Sequence, residues 1–203
     1  LRKLLQKQSY FGLFQAYAYA GIISSGPWVL SIVGILFVGF LSLGIVYPHT
    51  LIVQFQVSVT YLILSSLILT GFIQLGFTRF IADGLFKKQD ESVLPNFNGM
   101  LLIVTSISGV LGMLLLFVFF SEMSIPYRLL MLSGFVILCA IWVATIFLSG
   151  MKQYKEIVVV FAIGYAVTVL GALILRTKGM EGLLLGFVIG HFVPHLFGHF
   201  VII

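Results

Sequence analysis

The sequence predicts an all-α integral membrane fold of six transmembrane helices. Composition is the first observation behind that prediction. Of 203 residues, 61% are hydrophobic and 8% are charged, against roughly 45–50% and about 25% in soluble domains. A soluble chain of this size needs a polar shell that these residues do not supply. The second observation is a mean hydropathy of +1.19, and the third is that the apolar residues run unbroken. A membrane barrel, the other structure that satisfies its backbone in lipid, shows ~10-residue alternating strands instead.

A helix needs about 20 apolar residues to cross ~30 Å of hydrocarbon. Six stretches meet that length, at approximately 27–47, 50–77, 97–120, 129–150, 157–175 and 182–203. They are separated by Tyr47-Pro48-His49 and by the more polar segments 78–96, 121–128, 151–156 and 176–181. Ahead of them, residues 1–26 read as a cytoplasmic amphipathic segment: Leu1, Leu4 and Leu5 repeat at helical spacing, with Arg2, Lys3 and Lys7 opposite. Such a segment lies in the headgroup plane. Ser24-Ser25-Gly26-Pro27 marks a break, since proline suits a first helical turn with Ser or Gly as cap before it. One kinked helix from about Ala16 is the alternative.

Eight of the 11 basic residues (Arg2, Lys3, Lys7, Arg79, Lys87, Lys88, Lys152, Lys155) fall on one side of this topology, leaving Arg128, Arg176 and Lys178 on the other. The positive-inside rule makes the first side cytoplasmic, with both ends of the chain inside. The net charge of +5 is spread too thinly to track a nucleic-acid backbone. The single cysteine, Cys139, offers neither a disulfide framework nor a metal quartet. A start at Leu1 and an end inside an apolar run at Val201-Ile202-Ile203 suggest a fragment.

The string Leu1-Arg2-Lys3-Leu4-Leu5, then Ser9-Tyr10-Phe11-Gly12-Leu13, Ala16-Tyr17-Ala18-Tyr19-Ala20-Gly21 and Ile23-Ser24-Ser25-Gly26-Pro27-Trp28-Val29-Leu30-Ser31-Ile32 resembles the opening of the PelG family. Those are inner-membrane proteins of bacterial Pel exopolysaccharide export. The dense similarity covers about the first 32 residues, with span pattern and loop lengths similar beyond. The resemblance implies a fold of the multidrug/oligosaccharide/polysaccharide (MATE/flippase-like) superfamily, two six-helix lobes around a central cavity, with this chain as the N-terminal lobe. It also implies partners: a cytosolic glycosyltransferase, small membrane-anchored subunits including a cyclic di-GMP sensor, and an N-acetylhexosamine-rich polymer as cargo. From the residues themselves no cofactor and no covalent catalysis are expected.

The second span is the most polar. Gln54, Ser58, Tyr61 and Ser65 recur at i, i+4, i+7 and i+11, one stripe on a helix. Amide, hydroxyl and phenol groups suit an uncharged glycan; the same groups also serve as interhelical glue. Shorter stripes are Ser24, Trp28 and Ser31 on the first span and Trp142, Thr145 and Ser149 on the fourth. All six acidic residues (Asp83, Asp90, Glu91, Glu122, Glu156, Glu181) fall in loops or at span ends, which disfavours a proton- or cation-coupled antiporter with its acid in this chain. Arg79 stands one turn before Asp83, and with Lys87 and Lys88 marks the longest cytoplasmic connection, 78–96, as the place for a protein contact.

In the sixth span Gly182, Gly186, Gly190, Pro194 and Gly198 repeat every four residues, beside His191, His195 and His199. Small residues at that spacing let helix backbones approach. The histidine row lacks a neighbouring acid to act as general base. Its ends are also ~12 Å apart along the helix axis, too far for one ion. The function expected is an inner-membrane passage for a neutral exopolysaccharide, with a scaffold that recruits the synthase, or a small-molecule or cation antiporter, as alternatives.

Overall fold

The structure, a computed structural model, describes residues 29–88 and 90–202, with side chains through 197 apart from that of Asp90. The expected interfacial segment 1–26, and with it Trp28, lies outside the described residues. What is described is entirely helical apart from connecting turns. A short helix α1 (Val29–Ser42) is followed by α2 (Thr50–Phe86), α3 (Val93–Phe119), α4 (Ile125–Gly150), α5 (Tyr154–Leu175) and α6 (Gly179–Ile202). Single 3-10 turns, Asp90–Ser92 and Arg176–Lys178, precede α3 and α6.

The expected count of six spans is overturned. Among the described residues four stretches are long and apolar enough to cross a membrane: Thr50–Phe86, Val93–Phe119, Ile125–Gly150 and Tyr154–Phe197. Two physical reasons account for the difference. The described helix of the first expected span, Val29–Ser42, has 14 residues and covers only ~21 Å at ~1.5 Å per residue. Residues 176–181, read from sequence as a polar break, form the 3-10 turn Arg176–Lys178 and the first residues of α6, inside a single 44-residue apolar stretch that folds back on itself as α5 and α6.

Boundaries also move. α2 has 37 residues, about 55 Å of helix. It therefore exceeds the ~40–45 Å of a bilayer with its headgroups. The expected loop 78–96 is mostly helix: polar residues enter because α2 leaves the hydrocarbon, and Ile81 still packs on the far end of α4, 2.9 Å from where a Cβ on Gly150 would stand. The helix ends at Lys87 and Lys88, the latter left-handed at φ 58°. α3 begins four residues earlier than expected, with Pro95 tolerated in the first turn. Ser124 caps α4, accepting from the Tyr127 N–H at 3.3 Å, with Pro126 in the first turn.

α4 is the central post. Phe135, Leu138, Cys139, Val143 and Phe147 are among its buried residues, and α2, α3 and α6 all pack on it. α3 buries a single row, Val93, Phe97, Met100, Val104, Ser108, Gly112 and Leu116, and leaves its other faces to lipid, a solvent as apolar as leucine. α5 and α6 form a tight antiparallel pair. A Cβ on Gly186 would stand 2.2 Å from the Ala172 backbone nitrogen, and one on Gly190 2.0 Å from Thr168 Oγ1. Gly182 meets the Leu175 carbonyl in the same way, and Gly164 receives the ring of Pro194. α1 is tied to this pair at its end, where Arg176 Nη1 donates to the Leu41 carbonyl at 3.2 Å.

Candidate functional site

α2 and α3 both rest on α4 but scarcely touch one another. An open groove of about 540 Å³ runs between them with α4 as its floor. The α2 wall presents Val53, Gln54, Val57, Ser58, Tyr61, Leu62 and Ser65, which is the polar stripe picked out by spacing. The facing wall is apolar, from Gly112, Leu115 and Leu116 on α3 to Phe120 just past its end. Met123, Tyr127, Met131, Phe135 and Met180 complete the lining.

Within the stripe the four polar groups are not equivalent. Ser58 is buried and its Oγ meets the Tyr127 hydroxyl at 3.0 Å, a bond between α2 and α4. Ser65 donates back to the Tyr61 carbonyl at 2.7 Å, as serine does within helices. Both hydroxyls are thus engaged inside the protein. Gln54 and Tyr61 stand exposed on the α2 wall, Tyr61 at 65%. These two are the polar side chains that the groove offers to an occupant.

Other residues singled out from the sequence lie elsewhere. Ser31 is buried and accepts a hydrogen bond from the Tyr165 hydroxyl, joining α1 to α5. Trp142 is buried, donating from Nε1 to Ser66 Oγ at 2.9 Å and lying 5.9 Å from the Phe161 ring. Thr145 donates to the Ile141 carbonyl at 2.8 Å. None of these three lines the groove. Arg79 and Asp83 form an exposed i,i+4 pair at 3.8 Å, worth at most ~0.5 kcal/mol. With exposed Lys87 and Lys88 they occupy the end of α2 away from the groove.

The histidine row does not assemble a site among the described residues. His191 is buried, its Nδ1 2.9 Å from the Phe187 carbonyl and its ring edge-on to Tyr165. His195 is half-buried beside Phe192, and the side chain of His199 lies outside the described set. No group of three or more His, Cys, Asp or Glu among the described residues could hold a metal ion.

Spacing missed Tyr127 and the three methionines of the lining. Tyr127 pairs with a serine 69 positions away, which no local pattern reveals. The Ser124-Ile125-Pro126 start signal was present and would have drawn α4 back far enough to include it.

The PelG family model, described as "Putative exopolysaccharide Exporter (EPS-E)", matches residues 1–203. The chain belongs to the PelG family. That match runs along the whole given sequence, where dense similarity was expected only over about the first 32 residues of an N-terminal half. Comparison with curated proteins and with solved structures finds no match. As a PelG-family chain with these apolar helices, this is a multi-pass α-helical membrane protein of transport type rather than an enzyme. PelG membership also associates it with an exopolysaccharide export system.

Proposed function

We propose that this chain helps to carry a neutral, N-acetylhexosamine-rich exopolysaccharide across the bacterial inner membrane. The observation that carries the reading is the α2 wall, where an amide and a phenol, Gln54 and Tyr61, face an open groove beside apolar residues. An uncharged sugar is bound by such groups, through hydrogen bonds to the amide and stacking on the ring. The described acids Asp83, Glu91, Glu122, Glu156 and Glu181 all lie near helix ends or in turns. That placement favours an uncharged cargo over a cation relay.

Replacing Gln54 and Tyr61 together by alanine is expected to lower polymer secretion at least fivefold at unchanged membrane level of the protein. Quantifying secreted polymer against protein in the membrane fraction checks this. Unchanged secretion, or loss of the protein's partners in a pull-down at normal folding, would favour the alternative of a scaffold. For that alternative the specific observation is the α2 end. Arg79, Asp83, Lys87 and Lys88 present charge beyond the apolar helix body, suited to a cytosolic glycosyltransferase or another subunit of the synthase complex.

Orientation follows from the same charges. Ile81 packs on Gly150, so Arg79, Lys87, Lys88, Lys152 and Lys155 share one end of the bundle. Lys178 shares a pocket with Ser124 and Tyr127 at the other end. The five-cation end is the cytoplasmic one. Cysteines placed at Lys87 and Glu122 should then react with an impermeant maleimide from opposite sides, against a low background because Cys139 is buried. Labelling of both from the same side would overturn this orientation.

A further inference from the structure

The groove is not a uniformly polar channel, and its chemistry changes along its length. Apart from Gln54, Tyr61 and the internally bonded hydroxyls of Ser58, Ser65 and Tyr127, its bed is Val53, Val57, Leu62, Leu115, Leu116 and neighbouring Met and Phe side chains. At one end it adjoins a second pocket of about 270 Å³ that shares Met123, Tyr127 and Met180 with it. That pocket is lined in addition by Leu51, Ser124, Lys178, Gly179 and Glu181. The pair of cavities is therefore an apolar trough ending in a polar mouth that carries one cation and one anion.

Length and charge identify an occupant. From Val53 to Ser65 the trough follows α2 for about 18 Å at ~1.5 Å per residue, against about 15 Å for half of a ~30 Å hydrocarbon core. It is one leaflet deep. At the mouth the first N–H groups of α2 and α4 are already bonded to Pro48, His49 and Ser124, so the charge that favours a phosphate there is the exposed Lys178 ammonium. The Glu181 carboxylate, held by a hydrogen bond from Ser124, offers the counter-charge for an ammonium group. We infer that the trough seats one acyl chain of a zwitterionic amino-phospholipid, with its phosphate at Lys178 and its amine at Glu181. The lipid would fill the bed beneath the rim of Gln54 and Tyr61, so that the wall facing the cargo is part protein and part lipid.

The test uses the full chain purified in mild detergent and native mass spectrometry with added dioleoyl phosphatidylethanolamine or dioleoyl phosphatidylglycerol. The wild type should retain one phosphatidylethanolamine with at least fivefold preference over phosphatidylglycerol. Val57→Trp and Leu115→Trp, each filling the trough, should cut retention at least tenfold, while Val110→Trp on the lipid-facing side of α3 should not. Glu181→Gln should keep the acyl chain but reduce the headgroup preference below twofold. Equal retention by Val57→Trp, Leu115→Trp and Val110→Trp, or equal uptake of the two lipids by the wild type, would overturn the seat. Secretion lost in the Gln54 and Tyr61 variant without lipid retention in any protein would refute the lipid seat and leave the export reading standing.

Discussion

Gly186→Leu is expected to remove most of the folded protein from the membrane fraction. The ideal Cβ alone would lie 2.2 Å from the Ala172 nitrogen and 2.5 Å from its Cα. Those are backbone atoms, which cannot swing aside as a side chain does. Accommodating leucine requires α5 and α6 to part along their length, surrendering the contacts at Gly182, Gly190 and Gly164 as well. Ordinary overpacking costs about 1–3 kcal/mol; a backbone collision in the tightest helix pair of the fold should exceed that range. Fluorescence-detected size exclusion of a tagged protein checks it, with Gly109→Leu as the control because nothing lies within 4 Å of a Cβ there. A normal monodisperse peak for Gly186→Leu would show that α5 and α6 do not pack this closely.

Phe147→Ala should be the most damaging truncation. Its ring is fully buried on α4, edge-on to Phe97 of α3 at 5.2 Å and 6.3 Å from Phe77 of α2. Removing it takes dispersion contacts from three helices at once. Lipid tails are as apolar as the lost ring, so packing rather than dehydration sets the loss. Phe→Ala in a well-packed core costs about 3–5 kcal/mol, and a value toward the lower part is expected here. The apparent melting temperature in detergent should fall by about 10 °C or more, whereas Phe72→Ala, 89% exposed to lipid, should move it little. A shift no larger than that of Phe72→Ala would mean that α2, α3 and α4 do not meet at this ring.

Much of the helix placement was readable because apolar runs report directly on lipid. The glycine row of α6 was readable too, since a four-residue period of small side chains has a geometric meaning in any helix pair. The α2 stripe was found for the same reason, yet spacing could not say that Ser58 would be spent on Tyr127 while Tyr61 stayed open. That distinction depends on where α4 lies. Counting spans failed at two places where hydropathy and geometry part company. The helix of the first expected span, Val29–Ser42, is too short to cross, and residues 176–181 look like a polar loop but turn within one apolar stretch; residues 78–86 misplaced only a boundary, because a helix running out of the hydrocarbon takes on polar side chains. For Trp142 spacing left cavity lining and interhelical glue both open, and its indole N–H meets Ser66 of a neighbouring helix, a partner 76 positions away that no local pattern reveals.

The unbroken course of α2 has a mechanical consequence. One helix carries Gln54 and Tyr61 on the groove wall in its first half and Arg79 and Asp83 near its far end, with no hinge loop in between. Val53 and Phe86 are about 50 Å apart along it, so a lever pivoting by about 5° at the first would swing the second by about 4 Å. Force applied by a neighbour at the charged tip would thereby be delivered to the groove-facing edge of the helix.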